Sequence, residues 1–418
     1  MSNLFAELEW RGFVSHATRD IATHLAEGRR TVYCGFDPTA PSLQLGNLMP
    51  IMLLRHFQLA GHKPIVLMGG GTGLIGDPSG KRSERPLLSK EQIRENLQRQ
   101  RDQMAKLLDF DGPTQALVLN NADWLVTQSL VDFLRDVGKH FSVNIMLQKE
   151  SVKARLDTGI SYTEFSYMLL QAYDFLHLFR DRGCTMQVGG SDQWGNITAG
   201  IDLIRRVEGG EAHGLVAPLV TTASGAKFGK TEGGAMYLDP ALTSPYKFYQ
   251  FWFNVDDRDV ESYLKLFTFL PRPEIEGRMK THKKDPGRRE AQGTLATEVT
   301  TMVHGRDAMY NATGVSAILF SDFDPRNVKA SVFDEMAKEI PTASVSTSNL
   351  GLVDALMQAG LAKSKSEARR QIEQGGVYVN QQRVKDVDRK LDPSDWLAGR
   401  NLLLRKGKKD YALLRAGA

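Results

Sequence analysis

The 418 residues, 41 % of them hydrophobic, are enough for two or three domains with cores of their own, and no apolar run is long enough to span a membrane. Glu7, Glu9 and Arg11 break up the N-terminal apolar residues where a secretion signal needs an unbroken stretch, and Cys34 and Cys184 form no Cys-x-x-Cys pair, so the expectation is a cytoplasmic chain without membrane contact or a cysteine-held zinc. The net charge of +4 is uneven: residues 350–418 carry 14 Lys and Arg against 8 Asp and Glu, a net +6, leaving −2 for the rest, and that basic tail reads either as a solvated surface or as a polyanion-binding module.

Residues 1 to about 30 read as helical, with Phe13, Ile21 and Leu25 among the apolar positions. Residues 31–36 are aromatic and β-branched and read as a strand, after which Asp37-Pro38 turns the chain. An apolar helix follows over 48–59, ending at Gly61, then a buried strand over 65–68. Gly69, Gly70, Gly71, Gly73 and Gly76 mark a loop where backbone comes close to another group. Ser89 and Gln92 form a capping box for a helix running to Leu108. A strand over 116–119, a helix over 124–137 and a short strand over 186–188 continue the alternation. The pattern predicts an α/β fold, a doubly wound parallel Rossmann-like sheet over residues 1–245, with ligands at the C-terminal ends of its strands.

After Ser244-Pro245 the periodicity is helical without strands, which predicts a helical domain over 246–325. Its Lys283, Lys284, Arg288 and Arg289 read more readily as a solvated face than as an RNA contact. The Ser/Thr/Pro-rich stretch around 341–348 makes 326–349 a linker. Residues 350–418 then read as a small α+β domain, with helices over 351–359 and 364–374, a Gly-Gly turn and a strand over 377–380.

Two motifs look like halves of an ATP site. KFGKT (227–231) sets two lysines three apart in a Gly-containing loop, and PSLQLGN (41–47) places Gly46 ahead of an apolar helix, where a nucleotide can approach the backbone and the helix N-terminus. A Lys-x-x-Lys pair alone is usually a solvated loop. GGSDQWGN (189–196), directly after the apolar run 186–188, changes that reading.

With these motifs the chain resembles the bacterial-type tyrosyl-tRNA synthetases, a family of class I aminoacyl-tRNA synthetases, over nearly its whole length. YCGFDPTAPSL (33–43), GLIGDPSG (73–80), FLRDVGKHFSVN (133–144), TEFSYMLLQAYDF (163–175), GGSDQWGNITAG (189–200) and KFGKTEGG (227–234) stand in the family's order. The resemblance implies that tyrosine and ATP, with Mg2+, give tyrosyl-adenylate and pyrophosphate, after which tyrosine passes to tRNA(Tyr). The attacking carboxylate is already ionised, so the site's task is positioning and charge stabilisation. The resemblance also implies a homodimer built through the nucleotide-binding domain, with 133–144 at the interface and one tRNA reaching across both subunits.

Carried over residue by residue, Lys227, Lys230 and Thr231 match the family's loop that closes on pyrophosphate, and Lys81 and Arg85 match further pyrophosphate contacts. Thr39 matches a phosphate contact, Asp37 lies beside the triphosphate path, Cys34, Gly190 and Asp192 match ribose contacts, and Gly35 and Gly46 complete the ATP site. Tyr33 and Asp174 match the pair that recognises the substrate phenol; phenylalanine would leave a buried acceptor unpaired. Asp77, Tyr167 and Gln171 match ammonium contacts, Gln193 a contact to the substrate carbonyl, and Asn121 a support for the pocket. Tyr167, Gln171 and Asp174, spaced four and three apart, share one face of an otherwise apolar helix.

In the tail, SKSEARR (364–370) and GVYVN (376–380) resemble the small αL-type RNA-binding domain of ribosomal and pseudouridine-synthase proteins. Lys365, Arg369, Arg370 and Arg383 would form one basic face, and Arg405, Lys406, Lys408 and Lys409 a second patch. Arg205 and Arg206 match residues near the tRNA acceptor end, or complement the dipole of a helix C-terminus.

The chain departs from the family at its His-x-Gly-His signature, where Gln44 and Asn47 stand in place of both histidines. Their amide N–H groups can donate to phosphate as ring N–H groups would, so an active enzyme is expected. Two readings compete with it. One is a paralogue that kept the fold and acts by binding RNA, supported by the altered signature alone. The other is a synthetase for tryptophan, disfavoured because an indole N–H only donates.

Overall fold

The computed structural model describes residues 3–79, 88–156, 159–225, 228–231, 234–347 and 350–417, without the side chains of Glu150, Ser151, Ala154 and Thr231. Lys81, Arg85 and Lys227 lie outside the described residues, and Thr231 is described by its backbone alone. The chain divides into two compact units, Met1–Asp239 with Val255–Ala291, and Pro240–Asn254 with Gln292–Ala418.

The first unit is built on six strands: β1 (His16–Ala17), β2 (Thr31–Phe36), β3 (Lys63–Met68), β4 (Leu117–Asn120), β5 (Cys184–Gly190) and β6 (His213–Ala217). Their order in the sheet is β1-β6-β5-β2-β3-β4. From β2 to β6 the neighbours run parallel, and β1 closes one edge antiparallel to β6. The expected doubly wound parallel sheet is therefore present with one antiparallel edge strand. β1 separates two short helices, Leu4–Arg11 and Ile21–Ala26, in the stretch expected to be helical throughout.

Strand order reverses between β2 and β5, and such a switch point opens a crevice at the C-terminal strand ends. Helices Leu45–Leu59 and Tyr162–Arg182 follow or precede these central strands and bury Leu48, Ile51, Leu54, Phe57, Phe175 and Leu176. Ser89 caps the Lys90–Met104 helix through the expected box with Gln92. The helix expected over 124–137 is two, Ala122–Leu125 and Leu130–Asp136, because a new helix starts after Ser129 in extended conformation. Two short strands, β7 (Lys230–Thr231) and β8 (Gly234–Ala235), pair antiparallel.

The segment expected as one helical domain is divided between the units. Val260–Phe267 turns its apolar face onto the Leu45–Leu59 and Leu4–Arg11 helices of the first unit, whereas Pro245–Phe253 packs on Arg306–Phe320 in the second. The stretch expected as a linker is also structured: it carries a helix, Ala330–Met336, and β9 (Thr342–Val345). The second unit's sheet adds β10 (Val377–Val379), β11 (Gln382–Val384), β12 (Asn401–Lys406) and β13 (Asp410–Ala416), in the order β11-β10-β12-β13-β9. Residues 342–345 are polar enough to read as loop, but β13 offers them a parallel partner and Val345 is buried in the domain core. Helices Leu352–Gln358 and Lys365–Glu373 cover that sheet through Leu352, Leu356, Ala368 and Ile372.

Candidate functional site

A cavity of about 670 Å³ opens at the C-terminal ends of β2 and β5 in the first unit. Its wall contains Tyr33, Cys34, Gly35, Asp37, Thr39, Gln44, Gly46, Asn47, Asp77, Asn121, Tyr167, Gln171, Asp174, Gly190, Asp192 and Gln193. The described residues expected for the amino-acid and nucleotide sites are thus in one wall, apart from Lys230 and Thr231 on β7, of which Lys230 is exposed.

One end of the cavity is a buried hydrogen-bond network. Asp174 Oδ2 accepts from Asn121 Nδ2 at 2.9 Å, and Oδ1 accepts from Trp124 Nε1 at 2.7 Å. Asn121 Oδ1 in turn accepts the Gly71 N–H at 2.8 Å, which fixes which end of its amide faces Asp174. Burial pushes the Asp174 carboxyl up to about 7, against the pull of its two donors. Tyr33 stands on β2 with its ring edge-on to Phe175 at 5.2 Å, and its hydroxyl is buried without a partner among the described residues. Burial, reinforced by the charge of Asp174, holds its phenol well above the ordinary range. Gln187, opposite Tyr33 on β5, likewise lines the cavity with a buried Oε1 that has no partner among the described residues. A buried polar atom without a partner costs free energy, so both atoms suit a polar ligand.

The middle of the cavity is a chain of amides and carboxylates. Gln193 Nε2 donates to Asp77 Oδ2 at 2.7 Å, and Gln193 Oε1 accepts from Gln171 Nε2 at 3.2 Å. Asn196 Nδ2 donates to Gln171 Oε1 at 3.0 Å, and the Ser79 N–H donates to Asp77 Oδ1 at 2.9 Å. The Tyr167 hydroxyl donates to Asp37 Oδ2 at 3.0 Å, and Thr72 Oγ1 donates to Asp37 Oδ1 at 2.8 Å. Asp37, expected on the triphosphate side, therefore also ties the amino-acid side together. Gly69 leaves room for it: a Cβ there would lie 2.0 Å from Asp37 Oδ1.

At the nucleotide end the Leu45–Leu59 helix points its N-terminus into the cavity wall, with Gln44 as N-cap. Asn47 Oδ1 accepts the Gln44 N–H at 2.9 Å; since a backbone N–H can only donate, the Asn47 NH₂ is left for donation elsewhere. The Cys34 thiol is pushed up to about 12, by burial first and then by Asp192, so it acts as a small neutral wall residue. Among the described residues, no group of three or more His, Cys, Asp or Glu side chains is placed to hold a metal ion.

The basic residues are elsewhere and mostly engaged. Arg205 pairs with Asp202 at 2.8 Å and Arg206 donates to the His140 carbonyl at 2.8 Å, both in the last turn of the Trp194–Glu208 helix. Lys365 pairs with Asp354 at 2.8 Å, and Arg369 lies 3.8 Å from Asp388. Arg383 donates to the carbonyls of Gln374 and Gly375, so it closes a turn. Arg405 stacks 3.9 Å over the Tyr378 ring, half-buried, where an open basic patch was expected. Arg370 and Lys408 are exposed.

Sequence reasoning missed Thr72, Trp124, Gln187 and Asn196. Gln187 carried a readable signal, a polar side chain between Met186 and Val188 in a buried strand, and Asn196 stood within a quoted motif.

The described family "tRNA synthetases class I (W and Y)" matches residues 25–321, and "Tyrosine--tRNA ligase SYY-like C-terminal domain" matches 333–414. The chain is 52 % identical to a tyrosine–tRNA ligase of Roseiflexus castenholzii over 423 residues, covering 99 % of this chain and 100 % of that one. It is 51 % identical to that of Geobacillus stearothermophilus over 417 residues, 99 % of each chain. Among solved structures, a C-terminally truncated Aspergillus nidulans mitochondrial tyrosyl-tRNA synthetase is similar at TM-score 0.70 and 32 % identity, over 77 % of this chain and 95 % of that chain. A tryptophanyl-tRNA synthetase from Encephalitozoon cuniculi shares the fold at TM-score 0.53 with 13 % identity, over 79 % of this chain and 89 % of that chain. None of these likenesses supports a paralogue that only binds RNA. The matches run through both units and through the motifs that wall the cavity, and the chain belongs to the bacterial tyrosine–tRNA ligases, within the class I aminoacyl-tRNA synthetases.

Proposed function

We infer that the cavity activates tyrosine with ATP and presents the tyrosyl-adenylate to tRNA(Tyr). The observation that carries this reading is the pairing, at one cavity end, of a buried Tyr33 hydroxyl that has no partner among the described residues with Asp174, whose oxygens each keep an acceptor site after their donors among those residues are counted. A phenol O–H can donate to Asp174 and accept from Tyr33; a phenyl ring satisfies neither. The Asp77, Gln171 and Gln193 chain offers the acceptors an ammonium requires, with Tyr167 beside it held by Asp37. The carboxylate of the substrate then points along the cavity toward Gly46 and the helix N-terminus.

Chemistry at that end needs donors to the phosphates rather than a base. Gln44, Asn47, Thr39, Lys230 and the positive end of the Leu45–Leu59 helix are proposed to supply them, with Lys81, Arg85, Lys227 and Thr231 assigned by family resemblance. Cys34, Gly35, Gly190 and Asp192 are proposed to hold the ribose. Mg2+ is proposed to arrive on the triphosphate. Arg205, Arg206, Lys365, Arg369, Arg370, Arg405 and Lys408 are proposed tRNA contacts, with exposed Arg370 and Lys408 the best placed of these. No helix among the described residues is long and apolar enough to cross a membrane, and a cytoplasmic location is proposed with a homodimeric state.

The test is tyrosine-dependent ATP–pyrophosphate exchange with Mg2+, run beside phenylalanine and tryptophan. Exchange with tyrosine alone supports the assignment and shows that Gln44 and Asn47 replace two histidines. Tyrosine and tRNA binding without exchange would overturn the activation chemistry.

A further inference from the structure

Phe228 sits between the two lysines of the Lys-x-x-Lys loop, yet it is 6 % exposed while Lys230 is exposed. Its ring lies face to face with Phe267, centroids 5.1 Å apart and planes 11° from parallel, and edge-on to Tyr263 at 5.2 Å. Such pairs add specific geometry to the burial of a large apolar ring. The next residue, Gly229, has φ +75°, and a Cβ there would lie 3.0 Å from Leu45 Cβ. Its carbonyl accepts the Met236 N–H at 2.9 Å, and the Met236 carbonyl accepts the Leu45 N–H at 2.9 Å. The centre of the loop is thus held from two sides, by its ring on the Val260–Phe267 helix and by its backbone on the first turn of the Leu45–Leu59 helix.

The platform under the ring is itself tied down. The buried Arg11 guanidinium donates to the carbonyls of Lys265 at 2.9 Å, Thr268 at 2.8 Å and Leu270 at 2.8 Å, closing the C-terminal end of the Val260–Phe267 helix. A solvated basic loop requires none of this. A lysine that must meet a phosphate does, because its flexible stem leaves the backbone as the part that sets its reach.

We infer that Phe228 is a positioning residue: its stack on Phe267 and Tyr263 sets where Lys230 stands relative to the N-terminus of the Leu45–Leu59 helix. The inference rests on the proposed role of Lys230 in tyrosine activation. Phe228 also stands in the cavity wall, and its ring there has the role of fixing the loop, not of binding substrate.

The experiment is single-turnover adenylate formation and equilibrium tyrosine binding for the full chain and for Phe228→Ala, Phe228→Leu, Lys230→Ala and the double variants. Phe228→Ala is expected to slow adenylate formation about tenfold or more while the tyrosine Kd stays within about twofold. Phe228→Leu refills the apolar site without the ring stack and is expected to fall between Phe228→Ala and the parent chain. In either background Lys230→Ala is expected to cost much less than it does alone, since its amine is already misplaced. If Phe228→Ala does not fold, the Phe228→Leu and Lys230→Ala cycle decides the question. A full Lys230→Ala effect in the Phe228 backgrounds, or a tyrosine Kd that worsens in step with the rate, overturns the inference alone. A parent-like rate for Lys230→Ala overturns the role of Lys230 and this inference together.

Discussion

At Asp174 burial and hydrogen bonding pull in opposite directions, and burial wins. Its carboxyl moves from an ordinary 3.8 to about 7. The native state therefore keeps a proton that the unfolded chain has released, so this group's stability contribution is full below about pH 4 and is lost as pH rises through about 7. Substrate pulls the other way, because a phenol donates best to the ionised carboxylate. The tyrosine Kd is expected to rise as pH falls through about 7, by up to about tenfold per unit, and titration calorimetry between about pH 6 and 8 checks it. A flat Kd would mean that the neutral acid binds equally well. Asp174→Asn must turn an NH₂ toward either Trp124 Nε1–H or Asn121 Nδ2, so both stability and tyrosine affinity are expected to drop by about 1–3 kcal/mol. Tyr33→Phe separates the two quantities. It deletes a hydroxyl that has no partner among the described residues, so the melting temperature is expected to hold or rise, while tyrosine binding weakens by about 1 kcal/mol. The positions of Tyr33, Asp77, Tyr167, Gln171 and Asp174 in one wall were legible from their motifs. The Tyr167–Asp37 bond and the Trp124 donor were not, because they join residues 130 and 50 positions apart that carry no local mark of each other.

Among the elements, the Leu45–Leu59 helix shows how a departure from a signature can keep its local structure. Asn47 serves the fold through Oδ1, which accepts the N-cap N–H, and is free to serve phosphate through its NH₂. The two roles come apart by substitution. Asn47→Asp keeps an acceptor for Gln44 N–H but adds negative charge at the phosphate end, so the melting temperature is expected to hold while ATP-dependent activation falls. Asn47→Ala loses both, and about 1 kcal/mol of stability goes with the cap. Thermal melts beside single-turnover rates check the pair; equal rates in both variants and the parent would remove Asn47 from the chemistry. Central strands were the most legible elements, and β2 matches its expected span because its short run carries aromatic and β-branched residues and ends at the Asp37-Pro38 turn. The 124–137 stretch was not legible, since Val126, Leu130 and Val131 supply apolar periodicity while facing outward. β9 was missed because its partner, β13, lies some seventy residues later in the chain.

Those outward-facing residues matter for the whole molecule. Val126, Leu130, Val131, Leu134, Val143, Ile145 and Leu147 are each more than a third exposed within some twenty residues, which is unusual for a surface that meets only water. The same segment leans on the site helix Tyr162–Arg182: Trp124 stacks on His177 at 4.3 Å, and Phe133 meets Tyr173 edge-on at 5.7 Å. That helix carries Tyr167, Gln171 and Asp174. The division into units was illegible at 246–349, where helices with similar apolar faces belong to different units, and the basic tail from 350 shares its unit with residues 292–349. A second copy of the chain covering the exposed face would both bury it and brace the helix behind the amino-acid pocket. Val131→Glu sets a carboxylate in that face, where burial without a partner is strongly unfavourable. Sedimentation velocity at about 10 µM, well above the Kd of a stable interface, is expected to give a dimer for the parent and a monomer for the variant. The monomer is expected to bind tyrosine more weakly, because Trp124 and Phe133 lose their backing, while its far-ultraviolet circular dichroism stays that of the folded chain. A monomeric parent would leave the apolar face to another cover, and a variant monomer with unchanged tyrosine affinity would show that the helix behind the pocket stands without the partner's support.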